Sequence, residues 1–523
     1  MPLVRHFLVR SWLLLFALFH VSVNGQVSHP SLGPTLFSNV NTVVDLSAVD
    51  WDKIHRSASH CPWLILFYND GCGGCRWFAP RYSNFSTLLK GNYGSDVLQS
   101  VTAGAVNCAA WTETCNMYDI SSVPHIKFFY PSCTDDGGRM CASGQMKNVA
   151  LSSDRRAVSE IAEDTRELVK RHFAIDDARL ERCIDMHFSL YASKADLLQS
   201  AKKEPRKQFI EITDVHATDI AGGFFSILFY DVALSGLQSP ESIEALKGFL
   251  LLVSRALPSL SADLVINALQ ALEKRFSVAC WRRAVVNAAI PFEGEPRKVV
   301  WRTCKGSAPQ YRGVPCAMWL LFHSLTVNAK IADDPLNIIQ RFIKFFFTCD
   351  TCRKHFMEFK FDAKADKHFM EFKFDAKADP VLQLWSAHNS VNARLEKETE
   401  GADPLVPKRQ FPTREICPEC YGAEGGFIPG KVAVFLRTRY DWSKLSRELA
   451  VVKSQWGGGG READDESWIK GCRDLFPTQE GPSVLPSLWG WVSLVGFVGP
   501  VLCFAFHLPR SRRHTSRQYR PKV

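Results

Sequence analysis

A chain of 523 residues exceeds what one ordinary core accommodates, and its 46% hydrophobic content excludes a disordered protein. The formal charge of +9 does not make it a nucleic-acid binder: six of the Lys/Arg lie after Pro509 and two before Gly25, with no acid in either segment, so the remainder is close to neutral. Seventeen cysteines point to an oxidising compartment in which most of them are paired.

Arg5 and Arg10, the apolar run Trp12 to Val23 and the small residues that follow read as a secretory signal peptide over residues 1–25. Thr42 to Leu46 alternates like a strand, and Trp63 to Tyr68 is a continuous apolar run of the kind a fully buried central strand shows. Next comes Cys72-Gly73-Gly74-Cys75 at the start of a helix expected to reach about Lys90, with a kink at Pro80. A Cys-x-x-Cys at a helix N-terminus is a chemical device, because unpaired amides and the helix dipole stabilise a thiolate there. Strands over Val101 to Asn107 and His125 to Phe129 follow, and Pro124 precedes the second, where a cis peptide would set a loop against the dithiol. Cys108 with Cys115, and Cys133 with Cys141, read as structural disulfides. The sequon Asn84-Phe85-Ser86 is the one glycosylation signal, and it falls inside the predicted helix.

Residues 174–295 carry no motif. Ser239 to Leu257, with Ser239 as cap and Pro240 at the first position, and Ala262 to Phe276 have the three- and four-residue spacing of helices. Cys183 and Cys280 either pair with each other or stand as buried thiols. Beyond Lys298, Trp319 and His323 lie four apart on one helix face. Leu336 to Phe347 is a second helix that delivers Cys349 and Cys352, and Val381 to Leu395 is a third that presents His388, Asn389 and Asn392. Helices that gather Trp, His and Asn around a dithiol form a plausible flavin pocket, with aromatics to sandwich a planar ring and polar groups to bond its edges.

The order of strand, Cys72-x-x-Cys75 helix, strand and strand-preceding Pro124 resembles the thioredoxin fold of protein disulfide isomerases, over residues 41–173. Arg312-Gly313-x-Pro315-Cys316-x-x-Trp319-x-x-x-His323, Cys349-x-x-Cys352-x-x-His355-Phe356 and Trp385-x-x-His388-Asn389-x-x-Asn392 are similar to the Erv/ALR sulfhydryl oxidase domain, over residues 298–442. Joined, the two resemble a quiescin sulfhydryl oxidase of the single-thioredoxin, plant- and protist-like kind. The expected architecture is therefore an α/β thioredoxin fold, an all-α linking region over 174–295 and an Erv/ALR-type helical bundle.

The resemblance implies an FAD-dependent thiol oxidase acting on reduced secretory proteins or other dithiols, with molecular oxygen as acceptor and hydrogen peroxide as product. It implies redox pairs at Cys72/Cys75 and Cys349/Cys352, and FAD contacts at Arg312, Trp319, His323, His355, Trp385, His388, Asn389, Asn392 and Lys408. Phe411 stands where the family has Trp. Cys304 and Cys316 match the family's structural disulfide, and Cys417/Cys420 its distal pair, either a loop staple or an accessory redox pair. A zinc site built from the two last Cys-x-x-Cys pairs is disfavoured by the 64 residues between them. Two other readings remain: a membrane-anchored disulfide isomerase without oxidase activity, and an inert cysteine-rich scaffold.

Lys354 to Asp366 is repeated without change as Lys367 to Asp379, a duplication or artefact beside the second dithiol that could separate His388 from His355. After a last helix over Lys431 to Asp441, residues 443–484 read as a flexible stalk in which Cys472 could pair with Cys61 or link two chains. Leu485 to Leu508 is 24 residues without a charged side chain, long enough to span a bilayer, and it contains Cys503. The basic tail 509–523 then places the catalytic units on the lumenal or extracellular side of a secretory-pathway membrane, a single-pass type I arrangement.

Overall fold

In this computed structural model the described residues are 35–46, 61–89, 96–131, 146–151, 157–173, 178, 180–185, 214–273, 276–295, 298–359, 379–398 and 402–456. The expected signal peptide, span and tail, Cys133, Cys141, Cys472, Cys503 and most of the second repeat copy lie outside them.

The apolar run at Trp63 becomes the middle of a five-stranded sheet because its side chains are buried on both faces. The strands are β1 (Val44–Asp45), β2 (Trp63–Tyr68), β3 (Thr102–Asn107), β4 (His125–Pro131) and β5 (Met146–Leu151), in the order β1-β3-β2-β4-β5. β2 runs parallel to β3, with Phe67 opposite Val106, and antiparallel to β4, with Trp63 opposite Phe129. Helix α1 (Gly73–Leu88) continues through Pro80, α2 (Thr112–Met117) carries Cys115, and α3 (Val158–His172) packs on α1. The buried Tyr82 hydroxyl of α1 lies 2.6 Å from Leu64 O and 2.9 Å from Gly104 O, pinning the helix to two strands. Asn84 of the sequon is exposed on α1, while the Ser86 hydroxyl is buried and donates to Ser83 O.

Helix α4 (Ala217–Ser235) opens the all-α region; among the described residues it is the one helix long and apolar enough to cross a membrane, and it is 94% buried inside the protein. It is a core helix. The rest of this region is α5 (Pro240–Ala256), capped by Ser239 as expected, α6 (Ala262–Leu272) and α7 (Val278–Asn287). The C-terminal unit comprises α8 (Gly313–Asn328), α9 (Pro335–Phe346), α10 (Asp350–Met357), α11 (Pro380–Glu396), α12 (Pro429–Arg439) and α13 (Trp442–Trp456). The linking region and this unit share one hydrophobic core. Gly223 lets α4 approach α8 closely, since a Cβ there would lie 2.8 Å from Ala317 Cβ. Phe249 of α5 stacks on Phe342 of α9 at 3.9 Å.

Helix α13 corrects the expected stalk, which was to start at residue 443. Trp442, Leu449 and Val452 recur at helical spacing and are all buried, so the chain continues as a packed amphipathic helix to Trp456. Cys61 is bonded to Cys183, which rules out both a Cys183–Cys280 bridge and a Cys61–Cys472 bridge.

Candidate redox site

Cys72 is the N-cap of α1, and its sulfur accepts the N–H of Cys75 at 3.2 Å. Cys75 is fully buried; burial first, then the hydrogen bond and charge of Cys72, push its thiol well above the usual cysteine range. It therefore holds its proton while Cys72 can attack. Asp70 lies close behind: burial pushes its carboxyl up to about 7, against the opposing N–H of Leu36. Val123–Pro124 is cis, as expected, and Val123 O lies 3.7 Å from Cys72 Sγ.

The second dithiol is seated on this thioredoxin unit. Val123 N donates to Thr348 O at 2.8 Å, Asp350 N donates to Val123 O at 3.0 Å, and the two segments form a parallel bridge between Val123 and Cys349. Gly74 N donates to Cys349 Sγ at 3.4 Å. A Cβ on Gly73 would meet Cys352 Sγ at 3.6 Å and one on Gly74 would meet Cys349 Sγ at 3.3 Å, so the second pair packs directly on the two glycines between Cys72 and Cys75, with no room for a long side chain at Gly74. Cys72 and Cys75 are free thiols, whereas Cys349 and Cys352 are joined. A reduced pair thus faces an oxidised one. Arg76 Nη1 reaches across to Gln310 O at 2.7 Å, two residues before Arg312.

Behind the disulfide, α8 and α11 bring the aromatic and imidazole groups together. The rings of Trp319 and His388 stack at 4.0 Å, and His323 Nε2 lies 3.1 Å from His388 Nδ1. The His323 ring also stacks on Tyr440 at 5.1 Å, a neighbour that no motif announced. Trp319 of α8 lies between the two: its ring centroid is 4.0 Å from that of His388 on α11 and 6.0 Å from that of Phe356 on α10, the helix that carries His355, so α10 and α11 meet on the same side chain despite the duplicated segment. Trp385 Nε1 donates to Phe411 O, and Asn389 brackets the same residue, donating to its O at 2.8 Å and accepting its N–H at 2.9 Å. Asn392 is buried on α11. Cys304–Cys316 and Cys108–Cys115 are disulfides, as is the buried pair Cys417–Cys420.

Three polar groups here are not matched by the protein itself. His323 Nδ1 and Arg312 Nη1 are buried without a hydrogen-bond partner among the described residues. Lys408 has no ion pair among the described residues; burial, then Arg312 and Arg76, lower its pKa to about 8. Burial likewise lowers Arg312 to about 10 and His323 to about 3, and drives His388 well down. Asp403, whose charge acts on both Arg312 and Lys408, is taken up by Ser307 and the Leu405 N–H. Two cations and an orphan imidazole nitrogen beside stacked aromatics fit an anionic, planar group with hydrogen-bonding edges, and FAD has those properties.

Residues 42–142 match the thioredoxin family, 216–302 the quiescin sulphydryl oxidase pseudo-Erv domain and 316–412 the Erv1/Alr family. Together these are the thioredoxin, pseudo-Erv and Erv/ALR parts of a quiescin sulfhydryl oxidase, the family this chain resembles. The chain is a thiol oxidase. It is 26% identical over 402 residues to sulfhydryl oxidase 1 of Oryza sativa subsp. japonica, covering 73% of each chain. It is 25% identical over 449 residues to sulfhydryl oxidase 1 of Arabidopsis thaliana, covering 80% of this chain and 77% of that one. The solved sulfhydryl oxidase fragment of human QSOX1 matches 45% of this chain and 98% of its own at 29% identity, with a TM-score of 0.37. From residue 216 on, the region without motifs thus matches a pseudo-Erv domain, whose helices continue the Erv-type core.

Proposed function

We propose that the oxidase takes two electrons from a client dithiol at Cys72/Cys75, passes them to Cys349/Cys352, and delivers them to molecular oxygen as hydrogen peroxide. The observation that carries this reading is the free Cys72/Cys75 pair held against the Cys349–Cys352 disulfide by the Val123 and Gly74 hydrogen bonds. Client oxidation begins when Cys72 forms a mixed disulfide and Cys75 resolves it, a division favoured by the buried, protonated Cys75. The second exchange repeats the chemistry with Cys349–Cys352 as the disulfide attacked. FAD, held by Arg312, Trp319, His323, His355, Trp385, His388, Asn389, Asn392 and Lys408, would supply the two-electron acceptor that connects Cys349/Cys352 to oxygen. Trp385 and Asn389 act through Phe411, whose backbone they fix; Lys408 and Arg312 offer charge, and His323 Nδ1 a hydrogen-bonding edge.

The clients are reduced proteins of the secretory pathway, and the span Leu485 to Leu508 anchors the catalytic units on its lumenal or extracellular side. The purified chain should show a flavin absorbance band and consume oxygen when given dithiothreitol. A colourless protein that consumes none would sink the reading.

A further inference from the structure

The pseudo-Erv domain contributes no sulfur to the relay, yet it reaches both partners of the internal exchange. Helix α4 switches from α to π hydrogen bonding over Ile227–Val232, a local feature that recurs at functional sites. Within that turn lies Asp231, 7% exposed, whose Oδ1 accepts the backbone N–H of Thr348 at 3.1 Å and the Thr348 hydroxyl. Thr348 immediately precedes Cys349, and its own carbonyl takes the Val123 N–H. The segment that presents the disulfide is therefore gripped on one side by Asp231 and on the other by the thioredoxin unit.

The same turn is tied to the thioredoxin unit by a second contact. Arg282 of α7, 6% exposed, donates from Nε to Phe229 O at 3.1 Å and from Nη2 to Ala109 O at 3.2 Å and to the Thr112 hydroxyl. Thr112 lies inside the loop closed by Cys108–Cys115. A cavity of about 180 Å³ remains at the junction, lined by Cys72, Arg76, Tyr230, Asp231, Tyr311 and Cys349 among others. A buried carboxylate is costly to desolvate, and an apolar residue would fill the space without that cost. What Asp231 adds over an apolar residue is its pair of bonds to Thr348.

We propose that Asp231 is a positioning residue for the internal exchange, fixing Thr348 so that Cys349 is held extended in front of Cys72. The inference rests on the relay reading above. In the step it serves, the Cys72 thiolate bonds to Cys349 Sγ as the Cys349–Cys352 bond breaks and Cys352 leaves as thiolate. Cys75 then gives up its proton and attacks Cys72 Sγ, the mixed disulfide breaks, and Cys349 leaves. The Cys72/Cys75 pair is oxidised by two electrons, the Cys349/Cys352 pair is reduced by two, and the two protons given up by Cys72 and Cys75 are taken up by the Cys352 and Cys349 thiolates.

The test compares oxygen uptake by the full chain with two reductants: reduced ribonuclease A, which needs the thioredoxin unit, and dithiothreitol, which can reduce Cys349–Cys352 directly. Asp231→Ala is expected to lower ribonuclease turnover at least about tenfold, the scale of losing hydrogen bonds to a charged group, while changing dithiothreitol turnover less than about twofold. Asp231→Asn, which keeps an acceptor in place, should recover most of the loss. Thr348→Val, which deletes one bond at constant shape, should fall in between and guards against a misfolded Asp231→Ala. Equal losses with both reductants, or none with either, would overturn the proposal. Absence of oxygen uptake by the unaltered chain with both reductants would overturn the relay reading and this proposal with it.

Discussion

Val123 donates its backbone N–H to Thr348 O, and the carbonyl of Val123 takes the N–H of Asp350, so the loop before Pro124 holds the Cys349 segment as it would an added strand. Backbone pairing of this sort accepts any extended peptide and leaves selectivity to side chains. The internal disulfide and an external client would use the same groove in turn, since both must bring a sulfur to Cys72.

Gly74 sets how close the two pairs come. A Cβ there would sit 3.3 Å from Cys349 Sγ and 3.5 Å from Thr351 Cβ, a contact that a methyl group only just fits and a longer side chain does not. Gly74→Ala should cost little, whereas Gly74→Leu should lower turnover of reduced ribonuclease A by about tenfold or more, in line with an overpacking cost of about 1–3 kcal/mol. Oxygen uptake with dithiothreitol should be spared. If Gly74→Leu matched the unaltered chain on both reductants, the docked arrangement would not be the one that transfers electrons.

The two dithiols should separate cleanly by mutation. Cys349→Ala is expected to abolish oxygen uptake with every reductant while leaving the flavin band in place. Cys72→Ala should lose protein-thiol turnover by about two orders of magnitude, the scale of a lost covalent step, and retain most dithiothreitol turnover. An oxygen electrode run with both reductants decides it; full protein-thiol turnover in Cys72→Ala would remove the first pair from the path.

Much of this site was legible because its chemistry is local. Cys72-x-x-Cys75, Cys349-x-x-Cys352 and the Trp385/His388/Asn389/Asn392 spacing each lie on one helix or one helix end, where sequence separation translates into geometry. Strand β2 was legible for the same reason: burial on both faces leaves an uninterrupted apolar run. Helix α4 was not, because a helix buried on all sides has no apolar stripe to reveal its period. Gly222 and Gly223, needed for its close approach to Val299 and Ala317, read locally as breakers. Edge strand β5 and helix α13 were missed or cut short, the latter because the residues after Asp441 looked like a linker. The seating of Cys349 on Gly74, 275 residues away in sequence, and the grip of Asp231 on Thr348, 117 away, carry no local signal at all.

Lys408 makes a pH-dependent prediction. Burial and the nearby guanidinium groups of Arg312 and Arg76 depress its pKa in the folded protein to about 8, below its value in the unfolded chain. Between about pH 8 and about pH 10.4 the unfolded chain therefore binds more protons, so stability of the protein without FAD should rise with pH across that window. An anionic ligand favours the charged lysine, so FAD affinity should fall as pH rises through about 8. Lys408→Met should flatten both profiles and weaken FAD binding about 10- to 100-fold at pH 7. Flavin fluorescence titration and thermal melts at several pH values measure this; an unchanged FAD affinity in Lys408→Met would remove Lys408 from the cofactor site.

Cys417–Cys420 is the remaining Cys-x-x-Cys, and its surroundings set it apart from the other two. Cys72 and Cys349 are buried against each other's units, and parting the two units would uncover them. Cys417 and Cys420 are 0% exposed inside the helical core, with Cys420 O accepting Ile428 N at 2.7 Å and the Tyr421 hydroxyl donating to Pro412 O at 2.6 Å. Exchange needs an approaching sulfur to reach the bond, and these contacts block that approach. The double substitution Cys417→Ser, Cys420→Ser should therefore keep turnover with both reductants within about twofold and lower stability by about 2 kcal/mol, the loop-closure scale for so short a bridge. A fall in turnover with an unchanged melting temperature would instead make this pair part of the electron path.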